Sequence, residues 1–269
     1  MRIVVCVKAV PKPEEVGMNP ETRTLDRSKA RSEINPPDMH ALEMAFALRD
    51  RVGGTVTLLS MGPPMFVPYL RLGLAMGADD AYLLSDRAFG AADTLATSYT
   101  LAKGLERIAA TAGPWDVVLC GEESSDGATA QVPPGIAEWL DIPQATYVSE
   151  IAPGDGQTAP AIEVRREIKG GEERLRVPLP AVLSVAAGAN VPRFFDPDRR
   201  AIAESAEVVV WDAAAVAADP ALIGAAGSAT TVAAVESAGR VERRHEMLSG
   251  PPEETARTLA GVIRAALSA

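Results

Sequence analysis

Four short stretches in the first half of the chain are almost unbroken in apolar residues: 3–7, 56–60, 81–84 and 117–120. A strand that is apolar on both faces suits the interior of a parallel sheet covered by helices on each side. Between these runs the spacing becomes helical. Asn35-Pro36-Pro37-Asp38 reads as a helix start. Asn35 is a capping residue type, proline fits the first turn, and Asp38 complements the positive end of the helix dipole. Leu42, Ala45, Phe46 and Arg49 follow at helical spacing, the apolar members toward the sheet. Residues 67–76 predict a second helix, closed by Gly77. Residues 93–110 predict a third, with Leu95, Tyr99, Leu101 and Leu105 on related faces, and residues 134–140 a fourth. Strands alternating with helices predict an α/β fold, doubly wound around a mostly parallel sheet.

Beyond Pro143 the pattern changes. Residues 162–168 and 174–177 flank Lys169-Gly170-Gly171-Glu172 and predict an antiparallel hairpin with its charged residues outward. Residues 180–185 read as another strand and 190–197 as an irregular segment. Residues 212–237 are rich in alanine and are expected to form a long arm over a surface, this chain's or a partner's. A final helix is expected over 252–267, with Glu253 and Glu254 in its first turn. Two regions are expected: an α/β domain over 1–190 that includes the hairpin, and a C-terminal arm and helix over 191–269 that embrace a partner.

Composition narrows the function. Of the 269 residues 47% are hydrophobic and only 4% aromatic, so the core is expected to be built from Val, Leu, Ile and Ala. The formal charge of -10 repels a phosphate backbone and argues against nucleic acid, while leaving room for one phosphate held locally on backbone N–H groups. Cys6 and Cys120 sit inside apolar runs and read as buried small hydrophobes. No disulfide or zinc spacing is present, which fits a reducing cytoplasm. The first strand is expected to begin at Arg2 without a leader, and no apolar stretch is long enough to span a bilayer as a helix.

Most catalytic signatures are missing. No G-x-G-x-x-G follows the first strand, and there is no Walker A lysine loop, G-x-S-x-G elbow or H-E-x-x-H. The two histidines, His40 on the first helix and His245 in an Arg-Arg-His-Glu run, offer little for acid–base chemistry or a metal. One segment has the character of a ligand loop: Gly121-Glu122-Glu123-Ser124-Ser125-Asp126-Gly127-Ala128-Thr129-Ala130-Gln131, directly after the strand at 117–120. Small polar residues let backbone N–H groups approach a phosphate, Gly127 allows a close approach or a positive φ, and the helix that starts near Gln131 to Pro134 favours an anion. An ordinary polar connection accounts for the same composition equally well. Residues 35–38 need no ligand if they are simply a helix cap. Both loops are expected at the same edge of the sheet.

A family resemblance appears at this point. Val7-Lys8, Ile34-Asn35-Pro36, Ser60-Met61-Gly62-Pro63, Leu74-Ala75-Met76-Gly77-Ala78-Asp79, Asp126-Gly127 with Gln131, Leu179-Pro180-Ala181-Val182 and Pro192-Arg193 together resemble the electron-transfer flavoprotein β subunit. The likeness covers most of the chain and is weakest over 212–239. It implies a Rossmann-like, adenine-nucleotide-binding fold and a heterodimer with a larger α subunit, carrying electrons between a dehydrogenase and a further, for instance quinone-linked, acceptor. In the family's respiratory branch the β subunit holds AMP; in the electron-bifurcating, NADH-dependent branch it holds a second FAD. Ser85-Asp86-Arg87-Ala88-Phe89-Gly90-Ala91-Ala92-Asp93-Thr94 resembles the second branch, although the residues alone read as a loop entering a helix capped at Asp93.

The resemblance implies adenosine and phosphate contacts at Cys6, Asn35, Pro36, Pro37, Asp38, Met61, Asp126, Gly127, Ala128, Thr129, Ala130, Gln131, Val132 and Pro133. It implies a flavin ring near Arg87, Phe89, Asp93, Thr94 and Thr97. Two alternatives to FAD binding stand beside it: a structural AMP, and a nucleotide-sensing module of the universal-stress type. The chain departs from the family at Ala189, where the partner-recognition loop often presents a leucine; alanine is a poor interface anchor.

Overall fold

The computed structural model describes residues 1–12, 17–18, 25–26, 31–154, 160–233 and 246–268. His245 and residues 234–237 of the alanine-rich stretch lie outside the described residues. The chain divides into two compact units, Met1–Ala234 and Val235–Ala269.

In the first unit the elements in chain order are β1 (Arg2–Cys6), β2 (Ala9–Pro11), β3 (Gly17–Met18), β4 (Leu25–Asp26), β5 (Ser32–Ile34), α1 (Pro36–Val52), β6 (Thr55–Met61), α2 (Val67–Met76), β7 (Asp80–Leu84), α3 (Thr94–Ala112), β8 (Val117–Gly121) and α4 (Val132–Leu140). They continue with β9 (Gln144–Pro153), β10 (Ala161–Ile168), β11 (Gly171–Pro178), β12 (Ala181–Val185), α5 (Pro197–Ala203), β13 (Val209–Trp211) and α6 (Gly224–Gly227). Nine strands form one sheet in the order β11-β10-β9-β12-β8-β1-β6-β7-β13. The β9-β12-β8-β1-β6-β7-β13 part is parallel throughout, and β10 pairs antiparallel with β9 and β11 at one edge. This is the doubly wound α/β fold that the alternation predicts. β2 with β5 and β3 with β4 make two small antiparallel pairs.

Each face of the sheet buries its own apolar cluster. Ile3, Val5, Leu58, Leu83 and Leu119 point to the side covered by α1 and α2, where Leu42, Phe46 and Leu70 meet them. Val4, Cys6, Leu59, Leu84, Val118 and Cys120 point to the other side, under Tyr99, Leu105, Ile108 and Ile136 of α3 and α4. Alternate residues of one strand thus feed opposite clusters, which is why these strands are apolar at nearly every position. Each fully buried Leu or Ile contributes about 1.5–3 kcal/mol relative to exposure.

Three departures from the sequence reading have physical causes. β9 is absent from it because its buried residues, Ala145, Val148 and Ile151, fall three apart rather than two. The register slips at Tyr147, which takes a positive φ, and again opposite Arg165/Arg166, so two extra residues break the alternation. Secondly, the alanine-rich stretch, as far as it is described, packs on this chain's own second cluster, where Val216 and Ile223 are buried. Asp219 N–H donates to the Tyr99 hydroxyl (3.0 Å) and Ala213 N–H to Asp86 (3.1 Å). Thirdly, the irregular segment gives way to α5 at Pro197, capped by Asp196. Before it, Arg193 is held by both carboxylate oxygens of Glu43 (2.9 and 3.0 Å), and Ala189 is half-buried against the first cluster.

In the second unit α7 (Pro252–Leu267) covers the predicted range, with Leu259, Val262, Ile263 and Leu267 exposed. Among the described residues no helix is long and apolar enough to cross a membrane.

Candidate functional site

The order of the sheet selects one crevice. From β1 the chain winds through β6 and β7 to one side, then returns to β8 on the other side of β1. The ends of β1 and β8 therefore diverge into loops on opposite faces, the place where open α/β sheets take ligands. Both loops singled out in the sequence emerge here, and they are bonded to each other.

Asp38 ties them together. Its Oδ2 accepts from Lys8 N–H (2.7 Å), and its Oδ1 accepts from Asn35 Nδ2 (3.0 Å) and Gly121 N–H (3.2 Å). Burial raises its pKa to about 7, against the pull of those hydrogen bonds and of Lys8. The backbones come so close that a Cβ on Gly121 would stand 2.5 Å from Asp38 Oδ1, so glycine is required at the end of β8. Asp38 thus positions two strand ends and has no oxygen turned toward a ligand.

Asn35 does not cap α1 with its side chain. The first two helical residues are Pro36 and Pro37, which have no N–H to offer, and the Asp38 N–H goes to the Asn35 carbonyl (2.9 Å). The freed amide crosses the crevice instead. Nδ2 donates to the Glu123 carbonyl (2.9 Å), and Oδ1 accepts from Ser125 N–H (3.0 Å).

The opposite loop is shaped by its own backbone. Gly127 and Ala128 N–H both donate to the Ser124 carbonyl (3.1 and 2.7 Å). Of the two roles expected of Gly127, the positive φ falls instead on Ala128 (47°) and Ala130 (53°), and the close approach is a mild one, a Cβ at Gly127 lying 3.2 Å from Ser124 Oγ. A left-handed alanine costs about 1–2 kcal/mol, so two of them in three residues mark a conformation held for a purpose. Their effect is to turn the chain so that the N–H groups of Thr129, Ala130, Gln131 and Val132 meet no acceptor among the described residues. They precede the first full turn of α4, whose dipole adds positive potential. Pro133 is buried beneath them. The Gln131 side chain receives the Thr94 hydroxyl (2.9 Å), which joins this loop to the start of α3.

The residues expected near a flavin ring are differently disposed. Asp93 caps α3: Oδ1 accepts from Leu95 and Ala96 N–H (2.9 and 3.1 Å), and Oδ2 accepts from Thr230 N–H and Oγ1 (2.9 and 3.0 Å). Thr97 is half-buried one turn further on. Phe89 is buried in the second cluster, with Met61 packed against it. Arg87 is exposed, and no carboxylate lies within ion-pair distance of it among the described residues. Cys6 is buried beside Cys120, whose thiol is pushed well up by its hydrogen bond with Cys6 and by burial. Both cysteines are buried small side chains, as expected.

Some site residues were not anticipated. The Lys8 ammonium lies 2.6 Å from Asp126 Oδ1 and 3.4 Å from Ser124 Oγ, bridging the crevice. Glu122 accepts from Ala187 N–H (3.1 Å), and its own N–H donates to the Val185 carbonyl (3.0 Å). A charged residue within two positions of the end of an interior strand is the signal that marks each of them.

Residues 22–216 match the family described as "Electron transfer flavoprotein domain". Over 256 residues the chain is 43% identical to the electron transfer flavoprotein subunit beta of Clostridium acetobutylicum, covering 95% of each chain. Over 250 residues it is 42% identical to Protein FixA of Azotobacter vinelandii, covering 92% of this chain and 88% of that one. Over 233 residues it is 41% identical to the caffeyl-CoA reductase-Etf complex subunit CarD of Acetobacterium woodii, covering 86% of each.

Proposed function

The chain belongs to the electron transfer flavoprotein family as a β-type subunit, and on that premise we propose that the crevice between β1 and β8 holds the adenylate part of an FAD. The observation that carries this reading is the run of free N–H groups from Thr129 to Val132 at the topological switch point. Backbone donors in a left-handed turn, followed by a helix N-terminus, fit a phosphate and need no fingerprint of glycines. Cys6 and Met61, at the ends of β1 and β6, would meet the base and ribose, while Asn35, Pro36, Pro37 and Asp38 shape the wall opposite the loop from Asp126 to Pro133.

A bound flavin would supply the acceptance and release of electrons; the protein contributes binding, orientation and charge. Arg87 supports FAD over AMP, since an exposed guanidinium with no carboxylate partner leaves its charge available to an anionic ring system. Thr94 and Thr97 would line the same side. One observation favours a structural AMP instead: Phe89 is buried and both oxygens of Asp93 are occupied, so these two residues add nothing to a ring site as they stand. In either case the chain would assemble with a larger α subunit and exchange electrons with a dehydrogenase or a further acceptor. The name of the Acetobacterium relative, a subunit of a caffeyl-CoA reductase-Etf complex, supports a partner oxidoreductase. Acid extraction of the purified heterodimer and chromatography of the released nucleotides test the reading. Two FAD and no AMP per heterodimer is the expected result; one FAD with one AMP selects the other branch, and no nucleotide beyond one FAD contradicts both.

A further inference from the structure

We propose that Lys8 is the phosphate-neutralising residue of this crevice, held across it by Asp126 until an anion binds; the inference rests on the nucleotide reading of the same site. Lys8 is fixed at its backbone from both directions. Its N–H donates to Asp38 Oδ2 (2.7 Å), and its carbonyl accepts from Asn35 N–H (2.8 Å). Its root cannot shift without disturbing the clamp that joins β1, α1 and β8, so the side chain starts from a fixed point at the crevice. It reaches over the crevice to Asp126 (2.6 Å) and Ser124 (3.4 Å), at the start of the loop whose later N–H groups are free.

Charge makes this position consequential. Residues 121–131 contain Glu122, Glu123 and Asp126 and no lysine, arginine or histidine. A phosphate resting on the N–H groups of residues 129–132 would therefore find no cationic side chain in the loop itself. Lys8 reaches this loop at Asp126 and Ser124. Its side chain is 44% exposed, so its pair with Asp126 is screened by water and weak. A phosphate that the loop has already desolvated and positioned is the stronger partner for an ammonium. The pair with Asp126 keeps the lysine extended in the free protein, which lowers the entropy lost when it turns to the ligand.

The test uses the full-length chain with any subunit that copurifies, and equilibrium dialysis against AMP and against adenosine. AMP probes the adenylate that AMP and FAD share, and adenosine lacks the phosphate. Lys8→Gln is expected to weaken AMP about tenfold while leaving adenosine within about twofold, because one charge-assisted contact is lost and the base contacts remain. Lys8→Arg should recover most of the loss. Asp126→Asn should hold AMP at least as tightly as wild type, since it frees the lysine and removes a carboxylate, and it decides the matter if Lys8→Gln does not fold. Equal losses for AMP and adenosine, no loss for AMP, or an Asp126→Asn loss as large as that of Lys8→Gln would overturn the assignment and leave Lys8 a structural clamp. If wild type binds neither probe, the nucleotide reading itself fails, and Lys8 has no ligand to neutralise.

Discussion

Two strand-to-helix connections in this molecule look alike in composition and differ in what their backbones leave undone. Residues 121–131 join β8 to α4, and residues 85–93 join β7 to α3; both are short, small and polar. At the second, the start of the helix is closed from inside the chain. Asp93 satisfies the first turn of α3, and its free oxygen is taken by Thr230. Ser228 accepts from Asp93 N–H (2.8 Å), and Gly224 presses against the carbonyls of Ala88 and Gly90. At the first, α4 has no side-chain cap, and the four successive N–H groups from Thr129 to Val132 meet no acceptor among the described residues. The lesson is that a ligand loop is recognised by donors left over after the fold is complete, not by a polar sequence.

Breaking the closed connection should have the largest effect on stability. A Cβ at Gly224 would stand 2.1 Å from the Ala88 carbonyl oxygen, at a φ of +53°. Gly224→Val is therefore expected to cost about 3 kcal/mol or more in urea unfolding; a midpoint equal to that of wild type would show that residues 224–230 are a loose cover and not a seal.

The open crevice should betray itself through pH. Asp38 has an ordinary pKa of 3.8 and a folded value of about 7, mainly through burial. Between those values the folded chain keeps a proton that the unfolded chain has released, so this group's contribution is most favourable below pH 4 and is lost as pH rises through 7. Unfolding free energies of wild type, set against those of Asp38→Asn from pH 4.5 to 7.5, should fall progressively behind; a pH-independent difference contradicts the burial of this carboxyl.

Removing the cap in the closed connection should matter less. Asp93→Ala deletes the bonds to Leu95, Ala96 and Thr230 and is expected to cost about 1–2 kcal/mol, read as a lower thermal midpoint with nucleotide content little changed. The smallest change in stability is expected from Gly127→Val in the open loop, where the new side chain meets only Ser124 Oγ at 3.2 Å. That variant should lose about 1 kcal/mol or less yet retain distinctly less nucleotide. Were Asp93→Ala to empty the site and Gly127→Val to leave it full, the two connections would have been assigned the wrong way round.

How much of this was legible depended on whether a residue's role left a mark in its type. Interior parallel strands feed two cores, so their unbroken apolar runs announced four of them, and α2 and α7 were bounded by Gly77 and by the prolines at 251–252. β9 was illegible because two register slips spread its buried residues three apart, and β13 because three residues carry no period. In the site, Asn35–Asp38 and the loop from Gly121 could be paired on one edge of the sheet, and Asn35 bonds to Glu123 and Ser125 there. What could not be read was conformation: alanine gives no sign of a left-handed backbone, and Pro36 and Pro37 send the Asn35 side chain across the crevice by withholding the N–H groups that a cap would use. Lys8 looked like the last residue of a strand motif, and only its distance to Asp126 made it a candidate.

The most direct measurement is amide hydrogen exchange with and without saturating AMP, followed at single residues in the full-length protein. The N–H groups of Thr129, Ala130, Gln131 and Val132 should slow by about tenfold or more when AMP is present, while those of Leu95 and Ala96, already bonded to Asp93, should not change. Protection that appears at Leu95 and Ala96 and spares residues 129–132 would contradict the assignment of the crevice between β1 and β8 as the nucleotide site.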